Sequence, residues 1–136
     1  MKARALVSLH ERVYRWSGGR LLGNTGGLSI LLLTTRGRRT GLPRTTPLVF
    51  MRFQEEPLVL ASNWGQEVPP LWYLNLEVTP EAEVQIRAQR YPVRAGLLSG
   101  DVRARAAEQA AAYNPHWKDY LAKTHREIPL VHLKRI

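Results

Sequence analysis

Two β-prone runs, Leu28 to Thr35 (LSILLLTT) and Thr45 to Phe53 (TTPLVFMRF), flank one short connection that carries Arg36, Arg38 and Arg39. A connection of hairpin length commits the two runs to antiparallel pairing. The arrangement is then repeated. Gln54 to Pro57 (QEEP) turns the chain into a third run, Leu58 to Ser62. Ala82, Val84 and Ile86 alternate with Glu83, Gln85 and Arg87, and Tyr91, Val93, Ala95 and Leu97 alternate with Pro92, Arg94 and Gly96, which makes a second hairpin. Pro129 to Lys134 (PLVHLK) reads as the last strand. Short strands joined mostly by hairpins favour a small antiparallel barrel over a βαβ fold, in a mainly β with α (α+β) class, although a sandwich gives a similar string.

Helices interrupt the strands. Leu6, Leu9, Val13 and Trp16 fall at helical spacing, so residues 1–17 are expected to form an amphipathic helix ended by Gly18-Gly19, with a loop over 18–27. Pro69-Pro70 opens a short helix over Leu71 to Val78 that Thr79-Pro80 closes. Asp101 is expected to cap a helix running to Ala112, and a second short helix follows over His116 to Lys123. The whole chain, 1–136, reads as one domain, with 28–136 forming the barrel and its inserted helices.

The residue types exclude several functions. Without cysteine there are no disulfides, thiolate metal sites or cysteine nucleophiles. His10, His116, His125 and His132 are scattered, with no His-Glu-x-x-His pair, so no metal site is expected. Gly-x-Ser-x-Gly is absent around Ser62, which argues against hydrolysis, and Glu55-Glu56 reads as solvated charge in a turn. The longest apolar run, Leu28 to Leu33, is too short to span a bilayer, and the N-terminus lacks a signal-peptide core. A cytoplasmic protein is expected, with the arginine-bearing first helix as a candidate for weak peripheral membrane contact.

Basic residues outnumber acidic ones 20 to 11, a net charge of +9 that favours anionic partners. In the connection itself, Gly37-Arg38-Arg39-Thr40-Gly41 combines glycines that let backbone N–H groups approach an anion with guanidinium forks that match phosphate oxygens. It is neither a Walker motif nor a dinucleotide fingerprint, and on composition a solvated basic loop accounts for it equally well.

An ordered set of residues over Leu31 to Pro80 points further: Thr34-Thr35, Gly37 to Gly41, Pro43-Arg44, Thr46-Pro47-Leu48, Ala61-Ser62, Pro70, Trp72-Tyr73 and Asn75-Leu76. Weaker likeness extends through Tyr14-Arg15 and Gly18 to Arg20 on one side, and Asp119-Tyr120 and Ile128 to Leu130 on the other. This combination resembles the deazaflavin-dependent nitroreductase family, split β-barrels related to the FMN-binding barrels that use coenzyme F-420, an 8-hydroxy-5-deazaflavin. The resemblance implies that Arg38, Arg39, Thr40 and Gly41, with Arg44, hold the coenzyme phosphate. It implies also that the ring lies across Thr46, Pro47, Ala61, Ser62 and Asn63, closed over by Leu71 and Trp72. Asn63-Trp64-Gly65 departs from the commoner pattern, in which a lysine or a glycine pair follows the serine. Without the resemblance, a tryptophan on a short helix after a proline pair, as Trp72 is, is more often core than cofactor wall.

The implied activity is hydride transfer from reduced coenzyme F-420 to a conjugated small-molecule acceptor, a quinone, an enone or a nitro compound. Ser62 and Tyr120 are the candidate catalytic residues. Asn114, Trp117 and Tyr120, in Tyr113 to Tyr120 (YNPHWKDY), are the candidate acceptor contacts. In the nitroreductase branch this stretch carries tyrosines where Asn114 and Trp117 stand, and only Tyr120 agrees. Two alternatives stay open: a split barrel that binds FMN or sequesters a ligand without turnover, and a basic barrel that binds nucleic acid.

Overall fold

A computed structural model describes residues 24–25, 28–63, 66–123 and 127–136; the expected N-terminal helix and Trp64-Gly65 lie outside them. The strands are β1 (Asn24–Thr25), β2 (Leu28–Arg36), β3 (Pro43–Phe53), β4 (Glu56–Leu60), β5 (Glu81–Ile86), β6 (Gln89–Leu97) and β7 (Leu130–Arg135). The helices among the described residues are α1 (Leu71–Val78), α2 (Gly100–Tyr113) and α3 (Pro115–Lys123). The sheet runs β1-β2-β3-β4-β7-β6-β5, and β5 pairs back onto β2 through Leu32↔Gln85, Leu33↔Val84 and Thr34↔Glu83. Six antiparallel strands therefore close into a barrel, with β1 as a two-residue addition to the start of β2.

Period-2 alternation places successive side chains on opposite faces, and along β4, β7 and the end of β3 both faces are covered. Leu31, Leu33, Phe50, Val59, Ala61, Val84, Val93, Val131 and Leu133 fill the interior, where Trp72 and Leu76 of α1 join them. Met51, Phe53, Leu58, Leu60 and Leu130 point outward and pack under Ala106 and Ala110 of α2 and Trp117 of α3. Burial on both faces explains why the short strands β4 and β7 read as continuous apolar runs. None of the described helices is long and apolar enough to cross a membrane.

Four local details differ from the sequence expectation. The segment expected as an unbroken loop before Leu28 contains β1, because Asn24 and Thr25 find ladder partners in Ser29 and Leu28. Gln54 and Glu55 both take positive φ, 52° and 69°, so β3 and β4 are joined by a two-residue turn. As a result β4 starts at Glu56, with Pro57 inside it, and Ala61 and Ser62 lie beyond its end. The cap of α2 falls on Ser99, which makes no side-chain capping bond, while Asp101 sits in the first turn, where its charge complements the helix dipole.

Candidate functional site

The arginine connection is the β2–β3 hairpin loop, and its backbone is tightly specified. Gly37 N–H donates to the Leu42 carbonyl at 2.8 Å, and Gly41 N–H donates to the Gly37 carbonyl at 2.8 Å. Leu42 N–H donates to Thr40 Oγ1 at 3.2 Å. Gly37 is demanded sterically, since a Cβ there would lie 2.9 Å from Thr40 Oγ1 and 3.1 Å from the Leu42 carbonyl. Gly41 is demanded conformationally, by its φ of 73°. Arg38 N–H donates outside the loop, to Asn75 Oδ1 on α1 at 3.1 Å. Among the described residues the N–H groups of Arg39 and Thr40 have no such partner, so two adjacent donors stay open.

The side chains match that backbone. Arg36, Arg38 and Arg39 are exposed, and Arg44 is half-buried. Among the described residues, carboxylates pair with Arg90, Arg94 and Arg103, not with the loop arginines. A loop with clustered, unneutralised guanidinium groups and two adjacent open N–H donors is suited to a phosphate, whose oxygens accept from both.

The register sorts the expected ring contacts. Thr35 faces Arg44 and Leu33 faces Thr46 across the hairpin, which puts Arg44 and Thr46 on the inward-facing side at the end of the barrel nearest α1. Pro47, one residue on, points outward with Val49, which packs against the cluster under α2 and α3. Thr46 and Pro47 thus present side chains to opposite faces.

The remaining ring candidates differ in access. Ala61 and Ser62 are buried. Asn63, at φ 48°, donates from Nδ2 to the Val68 carbonyl at 3.0 Å, so its amide stitches the following loop. Trp72 is only 6% exposed and fills the barrel end beside Leu76, with its ring edge-on to Tyr73, whereas Leu71 is 68% exposed.

The acceptor candidates lie on the outer side of the sheet. Asn114 is buried at the joint between α2 and α3: its N–H closes α2 on the Ala110 carbonyl, and its Oδ1 accepts from His116 N–H at 3.0 Å. Trp117 is 5% exposed within the outer cluster, with its ring 5.7 Å from that of Tyr113. Tyr113 is anchored in turn, because its hydroxyl accepts from Ser29 N–H at 2.8 Å. Tyr120 is half-buried at the margin of that cluster, on the face to which Pro47 and Val49 also point. The structure therefore brings Tyr120 and Pro47 to one side of the sheet. It places the Asn114 side chain at the α2–α3 joint and the Trp117 ring in the outer cluster.

Sequence reasoning gave no role to Asn75. It is 5% exposed, accepts from Arg38 N–H, and donates from Nδ2 to Thr35 Oγ1 at 3.0 Å. The available signal was a lone amide in the otherwise apolar LWYLNL of α1. A cleft of about 280 Å³ opens beside the same helix, between Tyr73, Leu76 and Glu77 and the Ala95–Leu97 end of β6, and it contains none of the expected site residues. Among the described residues no three histidine, aspartate or glutamate side chains could share a metal ion. His132 is buried with Nε2 2.7 Å from the Phe53 carbonyl and its ring edge-on to Phe53, which is a packing role.

The chain is similar to known proteins over nearly its whole length. Residues 6–135 match the family described as F420H(2)-dependent quinone reductase. The chain is 31% identical over 138 residues to the F420H(2)-dependent quinone reductase Rv1261c of Mycobacterium tuberculosis, covering 96% of this chain and 90% of the relative. Among solved structures, one described as an F420-H2 dependent reductase (FDR-A) superposes with a TM-score of 0.71 at 30% identity, over 77% of this chain and 93% of the other. A structure described as a domain-swapped dimer superposes with a TM-score of 0.74 at 26% identity, over 98% of this chain and all of the other.

Proposed function

The chain belongs to the F420H(2)-dependent quinone reductase family, and from that premise we propose that it binds reduced coenzyme F-420 and transfers a hydride from it to a quinone. Enones and activated nitro compounds, which are electron-poor in the same way, complete the proposed acceptor range. The observation that carries this reading is the arginine loop: guanidinium groups that, among the described residues, have no carboxylate partner, beside N–H groups of Arg39 and Thr40 that have no partner there either. A nucleic-acid partner would be met by a spread of basic residues; this reading rests instead on Arg36, Arg38 and Arg39 and two N–H donors within one short loop.

In this reading Arg38, Arg39 and Arg44, with Thr40 and Gly41, hold the phosphate. Thr46, Pro47, Asn63 and Leu71 border the ring, and Ala61, Ser62 and Trp72, which are buried, back that wall. The bound coenzyme supplies a two-electron hydride donor. The protein fixes the ring against the acceptor and keeps water from the reacting face, which removes orientational entropy from the barrier. Reduction of a quinone to a quinol adds one hydride and one proton, and the Tyr120 hydroxyl, on the same side of the sheet as Pro47, is the proposed source of the proton, replenished from solvent. Titration of the purified chain with coenzyme F-420 and, separately, FMN, followed by tryptophan fluorescence, tests the reading. Tighter binding of coenzyme F-420 is expected, and equal or tighter binding of FMN contradicts it.

A further inference from the structure

We propose that Asn75 is a positioning residue for coenzyme binding: its buried amide fastens the arginine loop to α1, so that the phosphate seat and the helix beside the ring meet the coenzyme as one preformed unit. This inference rests on the reading of the loop as the coenzyme's phosphate seat.

A primary amide buried to this degree is costly unless its hydrogen bonds are made. Asn75 makes one to each side of the loop's entry, accepting from Arg38 N–H at 3.1 Å and donating to Thr35 Oγ1 at 3.0 Å. Neither bond is needed to close the hairpin, which is closed by Gly37 to Leu42, Gly41 to Gly37 and Leu42 to Thr40. Nor does α1 need an amide there, since asparagine is a poor interior helix residue and its neighbours Leu74 and Leu76 are apolar. What the two bonds add is a fixed position of the loop relative to α1.

That position matters because three like charges share one short loop. Arg36, Arg38 and Arg39 repel one another, and repulsion favours a spread or mobile loop. A side chain that holds the loop in its binding shape removes that ordering cost from the binding step. Asn75 also selects the donors: by taking Arg38 N–H inward, it leaves the next two N–H groups, of Arg39 and Thr40, for the ligand.

The test is fluorescence titration of the full chain with two probes, coenzyme F-420 and the deazaflavin riboside that lacks the phosphate, together with ligand-free thermal melts. Asn75→Ala is expected to weaken coenzyme binding by about ten-fold or more, as loss of an ordering hydrogen bond at a charged site implies, and to leave riboside binding within about two-fold. Thr35→Val, which removes only the hydroxyl that accepts from Asn75, should weaken coenzyme binding in the same selective way, and Thr35→Ser should restore it. At saturating coenzyme, turnover with a quinone should stay near wild type. If Asn75→Ala lowers the melting temperature but binds coenzyme like wild type, or loses both probes equally, Asn75 is structural only and the inference fails. If Asn75→Ala does not melt cooperatively, the Thr35 pair decides: equal coenzyme affinity for Thr35→Val and Thr35→Ser overturns the proposal. Failure of the underlying reading is visible in the wild type alone, as equal affinity for coenzyme and riboside.

Discussion

Replacing Gly37 by alanine should damage the arginine loop more than any other single methyl group added there. The new Cβ would lie 2.9 Å from Thr40 Oγ1 and 3.1 Å from the Leu42 carbonyl. The first neighbour is a side chain and can rotate, but doing so gives up its bond from Leu42 N–H. The second is backbone, and it already accepts from Gly37 N–H at 2.8 Å, so it cannot retreat without breaking the pair that closes the hairpin. Overpacking of this kind costs about 1–3 kcal/mol. For a chain of this size that corresponds to a fall in melting temperature of roughly 3–12 °C. Coenzyme affinity should fall with it, because Thr40 is part of the proposed seat. Gly41→Ala is the internal control. It meets nothing within 4 Å and is penalised only for its φ of 73°, about 1 kcal/mol, and Gly41→Asn should recover part of that loss because asparagine tolerates the left-handed region. Differential scanning fluorimetry of the three variants without ligand, followed by coenzyme titration, reads both effects. A Gly37→Ala protein that melts within a degree of wild type, or a Gly41→Ala protein that melts lower than Gly37→Ala, would refute the reasoning.

Arg39→Ala should weaken coenzyme binding by about one to two decades, the worth of a charge-assisted hydrogen bond, while the ligand-free melting temperature stays level or rises as repulsion in the loop is relieved; a partial loss for Arg39→Lys would identify a bidentate contact. Trp117→Ala should cost about 3–5 kcal/mol of stability through the cavity left in the outer cluster, read by urea unfolding, and a well-folded variant with a raised KM for quinone would instead place that ring in the acceptor pocket. Tyr120→Phe should lower kcat with quinone and leave coenzyme affinity unchanged, and an unaltered kcat would assign the proton to solvent.

The strands were legible because their alternation is physical: a side chain every second residue must find a face, and Val59, Ala61, Val131 and Leu133 declare the inner one as Leu58, Leu60 and Leu130 declare the outer. The loop's position was legible because Gly37 and Gly41 punctuate the chain between two β-prone runs, whereas its role was suggested only by the resemblance, since a solvated basic loop fits the same residues. Other features depend on partners distant in sequence. Whether Trp72 lines a ligand or fills a barrel is decided by where α1 lands, and α1 lands on the barrel end. Thr46 and Pro47 look like one patch in sequence and are split by the pleat. The start of β4 turned on whether Gln54 and Glu55 accept positive φ, which their residue types disfavour and the sheet twist enforces. Asn75 looked like one polar residue in an apolar helix, because its two partners, Thr35 and Arg38, are 40 and 37 residues away.

The most direct measurement of the central claim is anaerobic mixing of the protein with reduced coenzyme F-420 and a soluble quinone, following the return of the oxidised deazaflavin absorbance. Saturable, protein-dependent reoxidation that is lost in step with coenzyme binding in Arg38→Ala and Arg39→Ala is the result predicted. Reoxidation no faster than in the protein-free control, with coenzyme bound, would contradict the assignment of hydride transfer to this chain.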